Sequence, residues 1–212
     1  MRILVICDDR WHPASVVRDG LAPLAGADFS FDFVERASDW SAEQMGGYPL
    51  VLFTKANNAA ADDETPWVDE KVEQAFVDYV RGGGGLLVVH SGTAGYRETK
   101  TLRALFGGVF TRHPKQCPVE VQPQEGHPLC RDSAAFALVD EHYFMELDDE
   151  GADVFMQTQS EHGTQPGGWT RSEGRGKVCV LSPGHNLEVW LHPSYQALLS
   201  NAIHFCAPVS QE

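Results

Sequence analysis

The sequence has 212 residues, which is long enough for a substantial hydrophobic core. Hydrophobic residues make up 42% of it and aromatic residues 10%, as is typical of a folded protein, so intrinsic disorder is not expected. Acidic residues number 30 against 16 basic ones, for a net charge of −14. This charge argues against nucleic acid or an anionic membrane as the main partner.

The pattern of cysteines and apolar runs predicts a reduced, cytoplasmic protein. The apolar run at the N-terminus, Ile3–Cys7, is too short for a signal peptide, and no stretch of about 18 apolar residues occurs. The five cysteines include no C-x-x-C pair, and Cys7 and Cys179 fall within apolar strand patterns. We therefore expect buried free thiols at Cys7 and Cys179. The length of the chain, without an internal repeat or linker, predicts a single domain over residues 1–212.

The first half of the chain alternates between predicted strands and helices. The strands are expected at Arg2–Cys7, Phe29–Val34, Tyr48–Thr54 and Leu86–His90. The segments between them are a helix at Ser15–Leu24, a short turn capped by Ser41 and a helix at Pro66–Arg81. This alternation predicts an α/β fold with a mainly parallel sheet and helices on both faces.

The second half of the chain is less regular. The expected elements are a short helix at Thr101–Phe106, strands at Val119–Val121, Phe136–Val139 and Val154–Thr158, and a final helix at Ser194–Phe205. A turn at Gly174-Arg175 precedes one more predicted strand, which ends near Leu181.

Three histidines each follow the carboxyl end of a predicted strand, namely His12, His90 and His185. The carboxyl ends of parallel strands open on one edge of the sheet, where ligands bind in α/β proteins. Imidazole serves both as a metal ligand and as an acid or base near neutral pH. We predict a shared site at this edge; the alternative is that each histidine only hydrogen-bonds its own loop.

The segment Asp140–Tyr143 adds two carboxylates, an imidazole and a phenol. Glu141 is a candidate general base, metal ligand or orienting carboxylate, whereas Asp140 is expected to cap a loop. His113, which precedes Pro114, follows the His90 element closely enough to reach the same cleft.

A metal site would have to be assembled from separated loops, because no H-x-x-x-H or H-E-x-x-H spacing occurs. The candidate ligands are His90 and His185, and the candidate ion is a divalent metal such as zinc. No phosphate loop and no G-x-G-x-x-G motif is present, and Gly82–Gly85 precedes a strand, as a helix stop would. A nucleotide cofactor is not expected.

Several motifs in order along the chain resemble the ThuA-like (trehalose utilisation) family. They are Val89-His90-Ser91-Gly92, Gly107-Gly108 with His113-Pro114, His127-Pro128, Asp140-Glu141-His142-Tyr143, Trp169, Gly174–Val178 and Gly184-His185. The resemblance implies a flavodoxin-like αβα sandwich of the class I glutamine amidotransferase-like type. In those amidotransferases a cysteine follows the equivalent strand, whereas this chain has His90 there, so glutaminase chemistry is excluded. His185 stands where their catalytic histidine is expected.

The resemblance also implies a role in carbohydrate catabolism, acting on trehalose-type or 3-keto disaccharides. A ketone acidifies the neighbouring C–H bond, so His90, Glu141 and His185 are the expected catalytic residues for acid–base or metal-assisted chemistry. The expected class is a hydrolase, lyase or isomerase. The expected substrate-binding residues are His12, Ser91, His113, Tyr143 and Trp169. Two alternatives are a non-catalytic sugar-binding or regulatory protein and a structural subunit; a homo-oligomer is compatible with each.

Overall fold

The computed structural model describes residues 1–148 and 152–208. Its strands are β1 (Arg2–Ile6), β2 (Ser30–Val34), β3 (Leu50–Phe53), β4 (Gly85–Val89), β5 (Gly108–Arg112), β6 (Cys117–Pro123), β7 (Phe136–Asp140), β8 (Phe144–Leu147), β9 (Asp153–Ser160), β10 (Gly163–Glu173) and β11 (Gly176–Leu181). Its α-helices are α1 (Ala14–Leu21), α2 (Ala42–Gly46), α3 (Glu70–Arg81), α4 (Lys100–Phe106), α5 (Leu187–Trp190) and α6 (Pro193–Cys206).

A nine-stranded sheet has the order β2-β1-β3-β4-β11-β10-β9-β6-β7, and β5 pairs with β8 in a separate small sheet. The pairings from β2 across to β11 are parallel, and those from β11 across to β7 are antiparallel. In the parallel half, Val89 of β4 pairs with Leu181 of β11. The residues that follow these two strands therefore leave the sheet side by side at its carboxyl edge.

Helices cover both faces of the sheet, because apolar side chains alternate between the faces along each central strand. In β1, Ile3 and Val5 pack into one core with α1, α5 and α6, while Leu4 and Ile6 pack into the other with α2, α3 and α4. The predicted α/β fold is confirmed as an αβα sandwich, consistent with the flavodoxin-like type.

The observed elements differ from the predicted ones mainly in the antiparallel half. The turn at Gly174-Arg175 lies between β10 and β11 as expected, but β5, β8 and β10 were not predicted. In β10 the alternation of apolar residues is interrupted at Pro166-Gly167-Gly168, where the pairing with β9 contains a bulge. Helix α3 begins at Glu70, later than predicted, because the Asp69 side chain caps it.

All five cysteines are free and buried, which confirms the burial expected for Cys7 and Cys179. Within residues 1–148 and 152–208, the structure contains no helix of sufficient length and apolarity to span a bilayer.

Candidate active site

Four of the predicted site residues converge at the carboxyl edge of the parallel strands. One ligand atom from each of His12, His90, Glu141 and His185 lies within 4.8 Å of the others. Glu141 Oε2 is 3.2 Å from His185 Nδ1, 3.5 Å from His90 Nε2 and 3.9 Å from His12 Nε2. Its other oxygen, Oε1, lies 3.7 Å from His113 Nε2. The Glu141 carboxylate is thus surrounded by imidazoles from four separate loops.

His90 is placed by a sharp turn directly after β4. Its φ of 44° lies in the left-handed region, which is unusual for a residue with a side chain. The turn packs closely against β3, because a Cβ on Gly92 would lie 2.2 Å from the Phe53 carbonyl oxygen. His90 is 1% exposed, and its Nδ1 lies 2.8 Å from the Ser182 carbonyl oxygen after β11. That hydrogen bond directs Nε2 towards Glu141.

His12 is held by a buried carboxylate in the loop after β1. Asp9 Oδ1 lies 2.7 Å from His12 Nδ1, and Asp9 Oδ2 accepts a hydrogen bond of 2.9 Å from the Ala56 backbone N–H. Burial opposes protonation of His12, but Asp9 and Glu141 outweigh that effect and raise its pKa to about 9. Asp9 therefore attaches the loop to the end of β3 and favours a protonated His12.

Lys55, just after β3, supports the same loop from inside the protein. Its Nζ donates hydrogen bonds to the carbonyl oxygens of Asp8 and, at 2.9 Å, Glu35. Burial lowers the pKa of this amine. The contacts join the ends of β1, β2 and β3 beneath the site.

His185 is positioned by Asp140, the last residue of β7. The Asp140 carboxylate accepts hydrogen bonds from the backbone N–H groups of Gly184 at 2.9 Å, His185 at 3.0 Å and Asn186 at 3.1 Å. Asp140 thus holds the loop that begins α5, and the next residue, Glu141, contacts the imidazoles.

Burial and neighbouring charges give the groups of the cluster different protonation states. Burial alone would raise the pKa of Glu141, but contacts with His12, His185 and His90 hold it well below its usual range. Burial lowers the pKa of His90, against the opposing effect of Glu141. Glu141 is therefore ionised and His90 neutral at pH 7, beside a protonated His12.

A cavity of about 460 Å³ opens onto the cluster. It is lined by Trp11, His12, Ala56, Asn57, Asn58, Glu64, Ala94, Gly95, Phe110, His113, Glu141 and Tyr143. The Trp11 side chain is 58% exposed at its mouth. The cavity thus combines aromatic surfaces with the titratable groups of the cluster.

Tyr143 connects the aromatic wall to the histidines. Its ring stacks on His90, with centroids 3.9 Å apart, and contacts Phe110 at 4.1 Å. Its hydroxyl lies 3.5 Å from His12 Nε2. Burial raises the Tyr143 pKa well above its usual value, so the phenol remains neutral.

Two residues that the sequence suggested for substrate binding lie elsewhere. Ser91 is fully buried, and its Oγ lies 3.5 Å from Thr54 Oγ1. Trp169 is also fully buried and donates a hydrogen bond of 2.8 Å to the Phe106 carbonyl oxygen. Neither residue lines the cavity, so neither enters the proposal below.

Other residues of the site were not singled out in the sequence. Asp9 follows a strand end directly, which is the signal that could have identified it. The cavity-lining Asn57, Asn58 and Glu64 lie in the segment between β3 and α3, and Phe110 lies within β5, so none of them directly follows a strand end.

The protein is thus an αβα sandwich of the class that has a cleft, lined by histidines and a carboxylate, at the carboxyl edge of its parallel strands. A sequence profile of the ThuA family, described as trehalose utilisation, matches residues 3–206. The chain belongs to the ThuA family. A comparison with curated protein sequences gives no match.

Solved structures share this fold at low sequence identity. A ThuA-like protein from Bacteroides uniformis is 20% identical, with a TM-score of 0.70 over 97% of this chain and 91% of that one. A cytoplasmic protein from Salmonella typhimurium LT2 is 14% identical, with a TM-score of 0.74 over 98% of this chain and 100% of that one. A β-galactosidase from Rahnella sp. R3 is 16% identical, with a TM-score of 0.66, and the match covers 96% of this chain and 31% of that one.

Proposed function

We propose that this protein is a cytoplasmic enzyme of carbohydrate catabolism that acts on trehalose-type disaccharides, particularly their 3-keto forms. The observation that carries the proposal is the ionised Glu141 at a cavity wall, with His12, His90, His113 and His185 within 4 Å of its oxygens. Membership of a family described as trehalose utilisation supplies the substrate class.

The cavity suits a small saccharide. Its volume of about 460 Å³ falls in the range of about 300–1,000 Å³ that small-molecule sites occupy. Trp11 and Phe110 offer apolar faces for a sugar ring. We infer that the disaccharide enters past Trp11 and presents one ring to Glu141 and His113.

The charge arrangement fits removal of a proton next to a ketone. His113, which lines the cavity 3.7 Å from Glu141 Oε1, takes the proton, because the lowered pKa of Glu141 makes that carboxylate a weak base. The electron pair moves onto the ketone oxygen as an enediolate. A protonated His12, with a pKa of about 9, stabilises this negative charge. When the electron pair on the oxygen re-forms the ketone, the bond from the sugar ring to the glycosidic oxygen breaks, and this oxygen leaves with the abstracted proton. Reprotonation of the enediolate at carbon gives an isomer instead.

The competing function is sugar binding without catalysis. The aromatic wall of the cavity fits both an enzyme and a sugar-binding protein. Binding alone does not require an ionised carboxylate among four imidazoles. We therefore favour the enzyme and treat binding without turnover as an outcome of the test.

The test is incubation with 3-keto-trehalose in D₂O, followed by NMR of the substrate and released sugar. The wild-type protein is expected to incorporate deuterium next to the ketone and to release a monosaccharide or form an isomer. Unoxidised trehalose, which lacks the acidified C–H bond, should not exchange. Glu141→Gln should slow the reaction by about 10²–10⁴-fold.

The matched control is Glu161→Gln, because the Glu161 side chain is 77% exposed in a turn outside the cavity lining. It should retain the wild-type rate. Saturable binding of 3-keto-trehalose with no exchange or product would establish the binding protein instead. Wild-type turnover by both Glu141→Gln and His90→Ala would overturn the proposed site.

A further inference from the structure

The four-residue cluster has the composition and dimensions of a metal site. We propose that His12, His90, Glu141 and His185 bind one divalent transition-metal ion, with zinc the first expectation. Tetrahedral zinc bonds of about 2.0–2.1 Å place neighbouring ligand atoms about 3.3 Å apart. The distances from Glu141 Oε2 to the three facing nitrogens, 3.2, 3.5 and 3.9 Å, span that value.

Two buried nitrogens in this cluster lack hydrogen-bond partners within the described part of the chain. They are His90 Nε2 and His185 Nδ1, and both face the Glu141 carboxylate. Buried polar atoms are nearly always hydrogen-bonded, so two unpaired nitrogens at one place indicate a ligand that binds both. A cation bound between the imidazoles and the carboxylate would be the partner of both nitrogens.

The surrounding hydrogen bonds fit the same role. Metal-binding histidines usually donate their other ring N–H to a carboxylate or a backbone carbonyl. His12 Nδ1 faces the Asp9 carboxylate at 2.7 Å, and His90 Nδ1 faces the Ser182 carbonyl oxygen at 2.8 Å. In both cases Nε2 is left to face the cluster. Asp140 holds the backbone of the third histidine, His185.

The donor set selects the class of ion. Three imidazole nitrogens and one carboxylate oxygen suit zinc and neighbouring first-row divalent metals better than calcium or magnesium, which prefer oxygen ligands. No cysteine thiolate belongs to the cluster, so the set has no preference for soft ions such as Cu(I). The cluster adds His12 to the candidate ligands from the sequence, which were His90, His185 and, as one of its three candidate roles, Glu141.

The consequence for catalysis rests on the proposed function, whereas metal binding does not. A bound divalent ion supplies the positive charge that polarises a ketone oxygen. His12 and Glu141 are then ligands, and the proton would be taken by His113. This imidazole lines the cavity outside the four-residue cluster.

The test measures binding of Zn²⁺ alone to chelator-treated protein, by elemental analysis after dialysis and by competition with a zinc-binding dye. The wild-type chain should bind one Zn²⁺ per chain. His90→Ala and His185→Ala should each bind at least about 100-fold more weakly. The matched control is His162→Ala, because this histidine lies 3.7 Å from Glu161 in the turn between β9 and β10, outside the four-residue cluster, and its loss should leave affinity unchanged.

Asp9→Asn keeps all four ligands and so separates metal binding from folding. Loss of an outer partner of a ligating histidine typically weakens affinity by about 10–100-fold, and we expect that loss here. Substitution with Co²⁺ gives a second readout, a visible absorption spectrum that should change in His185→Ala and not in His162→Ala. Circular dichroism identifies any variant that fails to fold.

The outcomes also separate this proposal from the proposed function. Absence of saturable Zn²⁺ and Co²⁺ binding, or equal affinity in His185→Ala, Asp9→Asn and wild type, would overturn the metal site. Turnover of 3-keto-trehalose by metal-free protein would then leave the enzyme proposal standing. Stoichiometric Zn²⁺ without turnover would support the metal site and count against the substrate.

Discussion

Asp9 and His12 form a buried pair, with Asp9 Oδ1 2.7 Å from His12 Nδ1, and this contact determines that His12 Nε2 faces Glu141. The pair lies in the loop after β1 and joins that loop, through Ala56, to the end of β3. Asp9, which does not line the cavity, therefore sets the orientation of His12, which does.

The first prediction concerns the pH dependence of stability in chelator-treated protein. The pKa of His12 rises from 6.5 to about 9 on folding, so the folded state binds more protons between these values. The stabilisation from His12 is complete below about pH 6.5 and is lost as the pH rises through about 9. Thermal unfolding followed by circular dichroism should show a falling midpoint across this window.

Asp9→Asn removes the main charge partner of His12 and should flatten this part of the profile. Glu141 has a lowered pKa, so its contribution is lost only as the pH falls towards acid, outside the window. An equal slope in Asp9→Asn and wild type would contradict the prediction.

The second prediction concerns the packing of Tyr143. This ring is 3% exposed and stacks on His90 and Phe110. Tyr143→Ala should lower the free energy of unfolding by about 3–5 kcal/mol, because it leaves a cavity between the two rings. Tyr143→Phe keeps the stack and should cost less than about 1.5 kcal/mol. Urea denaturation measures both, and equal losses would show that the ring stack contributes little.

Much of the cluster could be predicted from the sequence, because strand ends are visible in apolar patterns. His12, His90 and His185 follow such ends, and parallel strands bring their carboxyl ends to one edge. The adjacency of β4 and β11, which places His90 beside Ser182, depends on long-range pairing that no local pattern records.

The roles of individual side chains were harder to predict. The contact between Asp9 and His12 comes directly after a left-handed backbone at Asp8, where φ is 68°, and no sequence pattern marks that turn. Trp169 is an aromatic residue in a glycine-rich segment, a pattern that suits a sugar-binding loop as well as a buried strand. The bulged pairing of β10 decides between them, and it places Trp169 in the core.

The third prediction concerns the turn that carries His90. A Cβ on Gly92 would lie 2.2 Å from the Phe53 carbonyl oxygen and 2.9 Å from Val88 Cγ1. Gly92→Ala should therefore push β3 and the turn apart and lower the free energy of unfolding by about 1–3 kcal/mol or more. The control is Gly26→Ala, since nothing lies within 4 Å of its Cβ position. Urea denaturation showing equal stability for the two variants would contradict this account of the turn.

The fourth prediction concerns Trp11, whose side chain is 58% exposed at the cavity mouth. If Trp11 stacks on a sugar ring, its loss removes about 0.5–1.5 kcal/mol of binding, so Trp11→Ala should raise KM for 3-keto-trehalose about 2–13-fold. The value of kcat should change little, because Trp11 is not in the cluster of His12, Glu141 and the other imidazoles. Leu191→Ala, which removes an exposed apolar side chain outside the cavity, is the control and should leave both constants unchanged. A fall in kcat at constant KM would instead place Trp11 in the chemical step, and no change in either constant would exclude it from substrate binding.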